Sequence, residues 1–205
     1  MMVMRNFCCL VLFLLLGIPA HAGAVDDLRR FMKETHSLEA EFEQTVVQAE
    51  GAGKRNVRAS QGSMAYQKPG RFRWSADHVL IVGDGSKVWL FDQDLQQVTV
   101  KKLDRALGTT PAALLAGSGN LEAFTLREDG ESDGFSWVNI EPKEQDAPFV
   151  QMRMGFKNGE LKALEMLDPF NQVIALTLRN VRRNPKLPAS HFIFTPPANV
   201  DVLED

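Results

Sequence analysis

Tyr66-Gln67-Lys68-Pro69-Gly70-Arg71-Phe72-Arg73-Trp74, followed by Val79-Leu80-Ile81-Val82-Gly83-Asp84-Gly85-Ser86-Lys87-Val88-Trp89-Leu90-Phe91, decides the fold. It reads as three strands in a row. Lys68-Pro69-Gly70 makes the first turn. Asp84-Gly85 makes the second, since this dipeptide readily takes the positive φ angles of a tight hairpin. Side chains alternate across a strand, so Phe72 and Trp74 share one face while Arg71 and Arg73 share the other. Two large aromatics on one face of an antiparallel strand must be covered by something.

The same alternation continues outward in both directions. Leu38, Ala40 and Phe42 alternate with Glu39, Glu41 and Glu43, and Met64 and Tyr66 lie in a strand before the first turn. Downstream, Val98 and Val100, then Phe124 and Leu126, mark further strands. Phe135 and Trp137 point one way while Val138 and Ile140 point the other. Met152, Met154 and Phe156 follow, and Lys157-Asn158-Gly159 turns the chain into Leu161 to Leu167. Ile174, Leu176 and Leu178 come next, and His191 to Thr195 is expected to be the last strand. This regular spacing of half-apolar segments predicts a mainly β fold of about 11 antiparallel strands.

Helical periodicity is confined to two places. Val25, Leu28, Phe31, Met32 and Thr35 form one stripe over residues 25–36, with Asp26 and Asp27 where a helix N-terminus favours anions. A second, short helix is expected from Thr110 to Gly117, with Pro111 in its first turn and Leu114 and Leu115 as its apolar residues. A sheet this large twists and curls rather than staying flat. Two short helices are too few to cover one of its faces but enough to plug the mouth of a curled one. The expected architecture is therefore an unclosed half-barrel with a helical lid over a hydrophobic cavity.

Residues 1–22 read as a secretory leader. Arg5 is its basic start, Phe7 to Ile18 its apolar run, and Ala20-His21-Ala22 fits the small-x-small cleavage rule. Cleavage would leave 23–205, ~180 residues that suit one domain with a substantial core. Both cysteines, Cys8 and Cys9, lie inside the leader, so the processed chain is expected to hold no disulfide and no cysteine metal site. Neither sits where a lipid-modified cysteine would, which points to a secreted, soluble protein. The formal charge of −3 becomes one unit more negative without Arg5, so bulk charge does not favour nucleic acid.

Catalytic patterns are missing. His36, His78 and His191 are scattered with no ligand spacing, and there is no Gly-x-Ser-x-Gly elbow. Asp92-x-Asp94 opens like a calcium loop, but its sixth position is Gln97 rather than glycine. Gly83-Asp84-Gly85 joins two strands and precedes no phosphate-holding helix. Phe72, Trp74, Trp89 and Phe91, with Met64, Met152, Met154 and Met166, fit two readings, of which core filling is the default in an ordinary sheet protein. They fill a core, or they line a deformable site for varied apolar cargo.

Six segments in order resemble one family, that of the LolA lipoprotein carriers, over essentially all of 23–205. They are Leu38-Glu39-Ala40-Glu41-Phe42-Glu43-Gln44, Lys68 to Trp74, Val82 to Asp92, Leu95 to Val100, Thr110-Pro111-Ala112-Ala113-Leu114-Leu115-Ala116, and Phe192-Ile193-Phe194-Thr195-Pro196-Pro197. The resemblance implies an unclosed β-barrel with a lid of helices, no enzyme activity and no cofactor or metal. It implies a monomeric periplasmic carrier of triacylated lipoproteins. An ATP-driven release complex of the inner membrane would supply the cargo, and the outer-membrane receptor LolB would accept it. By position, Leu28 and Met32 belong to the first lid helix, and Leu114 and Leu115 to the second. Phe72 and Trp74 match cavity-lining aromatics, and Phe42 and Trp89 complete the candidate acyl-chain set. Lys68 matches a basic position, arginine in well-known members, that ties the lid shut through lid-region backbone.

Two other readings fit part of the pattern. One is a lipoprotein sensor or receptor of the same fold, although the receptor should carry a lipidated N-terminal cysteine. The other is a small outer-membrane β-barrel, which also alternates apolar and polar residues. Two amphipathic helices have no place in such a barrel, and the chain ends in Val202-Leu203-Glu204-Asp205 rather than on an aromatic.

Overall fold

Twelve strands form a single open sheet in the computed structural model, which describes residues 23–49, 55–103, 115–116, 121–144, 147 and 149–204. Helix α1 is Ala24–Glu34. The strands are β1 Ser37–Ala49, β2 Arg55–Gln67, β3 Arg71–Ala76, β4 Val79–Asp84, β5 Lys87–Asp92, β6 Gln97–Lys102, β7 Phe124–Ser132, β8 Phe135–Pro142, β9 Gln151–Lys157, β10 Glu160–Leu167, β11 Gln172–Arg183 and β12 Asp201–Glu204. Their order across the sheet is β12-β6-β5-β4-β3-β2-β1-β11-β10-β9-β8-β7. All neighbours are antiparallel except β12, which runs parallel to β6. Because β7 and β12 do not pair with each other, the sheet curls without closing.

Register fixes which face each residue takes. Phe42 lies opposite Gly62 and Leu178, Leu176 opposite Leu164, Met166 opposite Met152, and Met152 opposite Ile140. On the other flank Met64 faces Trp74, which faces Ile81, and Tyr66 faces Phe72. These residues form one buried apolar cluster on the concave face, which α1 covers. The outer face of β8 to β10 mixes Phe135 and the buried Trp137 with charged residues. There Arg153 pairs with Asp129 at 2.5 Å and Glu165 at 2.6 Å, and its guanidinium lies 4.5 Å from the Trp137 ring centre.

The sheet inverts this pattern toward β6. Trp89 lies opposite Val82 and Val100, and Phe91 opposite Val98, on the convex side. Phe91, Val98 and Val100 form a second core with Leu80, Trp89, Phe194 and Val200. The segment after β11 crosses this side as a cover.

One expectation needs amendment. His191 to Thr195 is not the last strand: Ala189–Phe192 is a 3₁₀ turn, and the final strand is β12. The alternation there is real, for Phe192 is buried and Ile193 is 63% exposed. Its partner is the outer surface of the sheet, and Pro196 and Pro197 have no N–H to give a ladder. The twelve strands agree with the expected count of about 11, although β12 itself was not foreseen. The helix expected over Thr110 to Gly117 falls largely outside the described residues, which include only Leu115 and Ala116 of it.

Candidate functional site

The concave face is built from aromatic rings resting on glycines. Phe42 and Trp74 stack with ring centres 4.1 Å apart and planes inclined by 26°. A Cβ on Gly62 would stand 2.5 Å from Cζ of Phe42 and 2.2 Å from the Ser75 carbonyl oxygen. One on Gly83 would stand 2.3 Å from the Phe72 ring. Both glycines therefore serve close approach, letting large rings lie flat across a neighbouring strand. Phe72 is 0% exposed and Trp74 6%.

Helix α1 lays its apolar stripe on this face. Ala24, Leu28 and Phe31 are buried, and Met32 packs at the margin of the same cluster. Phe31 meets Phe156 edge-on at 6.1 Å, and the Arg183 guanidinium lies 5.7 Å from the Phe31 ring centre. Covering Leu28 and Phe31 removes roughly 2 kcal/mol of apolar exposure each. Leu115 and Ala116 are also buried in this cluster, whereas Leu114 lies outside the described residues.

Polar ties hold the cover at its margins. Lys68 Nζ donates to the Met32 carbonyl oxygen at 2.7 Å, and the Lys68 N–H donates to the His36 carbonyl at 2.8 Å. Burial pushes the Lys68 ammonium below its usual pKa. The peptide bond that follows, to Pro69, is cis, and the Gly70 N–H donates to the Ala116 carbonyl at 2.8 Å. Asn184 clamps the far end of α1: its Nδ2 donates to the Glu34 carbonyl at 2.9 Å, and its Oδ1 accepts from the His36 N–H at 2.8 Å. These bonds satisfy backbone groups that the end of a helix leaves free.

Tyr66 belongs to the same cluster, fully buried, and its hydroxyl finds no hydrogen-bond partner. Desolvation raises its pKa well above the ordinary phenol value, with the Arg183 charge acting weakly in the opposite sense.

Leu28, Met32, Phe42, Phe72, Trp74 and Leu115 thus meet in one apolar cluster, and Lys68 reaches across to α1. Trp89 does not join them. It is on the convex side, 6.0 Å from the Phe194 ring, and its Nε1 donates to Asp84 Oδ2 at 3.2 Å. Burial opposes ionisation of Asp84, but N–H donors from Lys87 and Ser86, the Ser86 hydroxyl and the Trp89 indole together hold its pKa down. Met64, weighed in the sequence as core or as cavity lining, belongs to the concave cluster, and so do Phe31, Tyr66, Ile81 and Phe156, which were not candidate site residues. Their alternation placed them on one face, but nothing local said which face of each strand the curl would enclose. An open groove lined by Glu41, Phe42, Glu43, Gln61, Gly62, Ser63 and Arg179 is of mixed polarity and carries a 2.8 Å Arg179–Glu43 ion pair.

Comparison with known proteins places this arrangement. Residues 33–195 match the model of the family described as outer membrane lipoprotein carrier protein LolA. An outer-membrane lipoprotein carrier protein of Dechloromonas aromatica is 46% identical over 195 residues, covering 93% of this chain and 92% of the relative. Another, from Nitrosospira multiformis, is 39% identical over 210 residues and covers both chains completely, at 100% each. Among solved structures, a LolA superfamily protein of Nitrosomonas europaea aligns with 84% of this chain and 98% of its own, at 10% identity and a TM-score of 0.44.

Proposed function

The chain belongs to the outer membrane lipoprotein carrier family, LolA, and from that premise we propose that its concave face receives the acyl chains of lipoproteins in the periplasm. In this reading the cargo comes from an inner-membrane release complex and passes to an outer-membrane receptor. Leu28, Met32, Phe42, Phe72, Trp74 and Leu115 contact the hydrocarbon, and Lys68 latches α1. Trp89 is left out because it serves the second core.

One observation carries the reading. The contact between α1 and the sheet is apolar inside, and its polar ties lie at the margin, on backbone carbonyls that water could satisfy as well. Such a cover can lift without stranding a buried charge. Each CH₂ moved out of water is worth about 0.8 kcal/mol, so lipoprotein acyl chains carry tens of kcal/mol gross and need shielding in transit. Closure of α1 over the empty face competes with cargo for the same surface. That competition lowers net affinity and lets a stronger acceptor take the load. No step in the carrier itself then requires an energy source.

The test mixes purified 23–205 protein with vesicles bearing the release complex and a labelled triacylated lipoprotein. The expected product is a one-to-one soluble complex, with Phe72→Glu failing to form it. Release that is equally efficient without the carrier, or undiminished with Phe72→Glu, would contradict the proposal.

A further inference from the structure

Glu128 ties down the end of the lid that Lys68 and Asn184 do not reach. One carboxylate oxygen accepts the Ala24 N–H at 2.9 Å and the other accepts the Val25 N–H at 3.0 Å. These belong to the first turn of α1, where free N–H groups and the helix dipole favour an anion. The helix has no side-chain cap of its own, because Gly23 occupies that position. Glu128 comes from edge strand β7, more than a hundred residues away in sequence. Register sets it opposite Val138, in line with Phe124 and Leu126, so a carboxylate interrupts an otherwise apolar row at the rim.

Gly23 makes the approach possible. A Cβ there would stand 2.3 Å from Glu128 Oε1 and 2.8 Å from its carboxyl carbon. The Gly23 backbone, at φ −63° and ψ 165°, is one that any residue adopts. Glycine therefore serves space here and not conformation, because a Cβ would push the carboxylate aside. The nitrogen on the same Cα is necessarily within about 5 Å of Oε1. Gly23 is also the residue that removal of the 1–22 leader would place first, following Ala20-His21-Ala22. Cleavage would turn that nitrogen from an amide into an ammonium beside the carboxylate.

We propose that Glu128 is a second latch of the α1 lid, and that leader removal completes it by freeing the Gly23 α-ammonium as its counter-ion. The unprocessed chain would hold its lid by two neutral N–H donors. The processed chain adds a charge-assisted bond at the same carboxylate. Lid closure is thereby coupled to processing, and a carrier still tethered by its leader closes less firmly than a free one. The latch rests on the reading of α1 as a lid, and the coupling on cleavage after Ala22.

The test is hydrogen exchange of α1 amides, without cargo, in four proteins. These are 23–205, its N-terminally acetylated form, Glu128→Ala, and acetylated Glu128→Ala. Acetylation and Glu128→Ala should each speed α1 exchange severalfold, about the size of a charge-assisted helix cap. Exchange in β1 and β2 should stay unchanged. Acetylation should add nothing once Glu128 is gone. Gly23→Ala, which moves the carboxylate without touching β7, should reproduce Glu128→Ala. Equal acetylation effects with and without Glu128 would overturn the coupling, and unchanged α1 exchange in both Glu128→Ala and Gly23→Ala would overturn the latch. Because no cargo is present, a failure to bind lipoprotein would refute the carrier reading while leaving these outcomes as they stand.

Discussion

Tyr66 is the chain's only tyrosine, and its hydroxyl is buried with no partner. An unpaired buried hydroxyl costs more than a paired one returns, so Tyr66→Phe should raise stability by about 1 kcal/mol in urea unfolding. The sign of its pH dependence follows from its raised pKa. Above the ordinary phenol value the unfolded chain loses this proton while the folded chain keeps it, so the unfolded state gains. Stability present below pH 10 or so should then fall as pH rises, less steeply in Tyr66→Phe. Phenolate absorbance reports the group directly: it should stay suppressed in the folded protein at a pH where urea restores it. Normal phenolate appearance in the folded protein would place Tyr66 in water. Gly62 is a second sensitive position. Its substitution by alanine meets the backbone oxygen of Ser75, which cannot swing aside, as well as the Phe42 ring. A loss of about 2–3 kcal/mol is expected, measurable by the same unfolding titration.

Among the elements, α1 was the most legible in sequence. Its stripe of Leu28, Phe31 and Met32 and its first-turn acids gave its position to within a residue or two of Ala24–Glu34. Its ties were less legible, since Glu128 and Asn184 are distant in sequence and carry no motif. Lys68 came only through the family resemblance. An ammonium is a point donor without the planar fork of a guanidinium. Lys68→Arg should therefore slow entry of an apolar dye beneath α1, and Lys68→Met should speed it severalfold. Equal rates in all three proteins would remove Lys68 from the latch. The segment of Phe192 and Phe194 was misread because its alternation is indistinguishable from that of a strand. Only the fold reveals that it packs across the sheet instead of extending it. Since Phe192 is wholly buried, Phe192→Ala should cost about 3 kcal/mol, read as a lowered urea midpoint. A surface strand would lose far less.

At the scale of the molecule, one sheet serves two cores. From β4 through β1 to β7 its concave face is apolar, and α1 covers it over β7 to β10. From β4 to β6 its convex face is apolar and the chain after β11 covers it. The open, curled sheet and the alternation along each strand were legible in sequence. The crossover between cores was not, because Val88 and Trp89 are adjacent and both apolar, yet Val88 is buried in one core and Trp89 packs, half-buried, against the other. That crossover gives the carrier reading its sharpest test. Trp74 lies on the concave face, whereas Trp89 and Trp137 lie on the convex one. Single-tryptophan variants titrated with a triacylated lipopeptide bearing a nitroxide on an acyl chain would report which face meets hydrocarbon. Strong quenching of Trp74, with Trp89 and Trp137 unaffected, is the predicted result. Quenching of Trp89 or Trp137 with Trp74 untouched would contradict it.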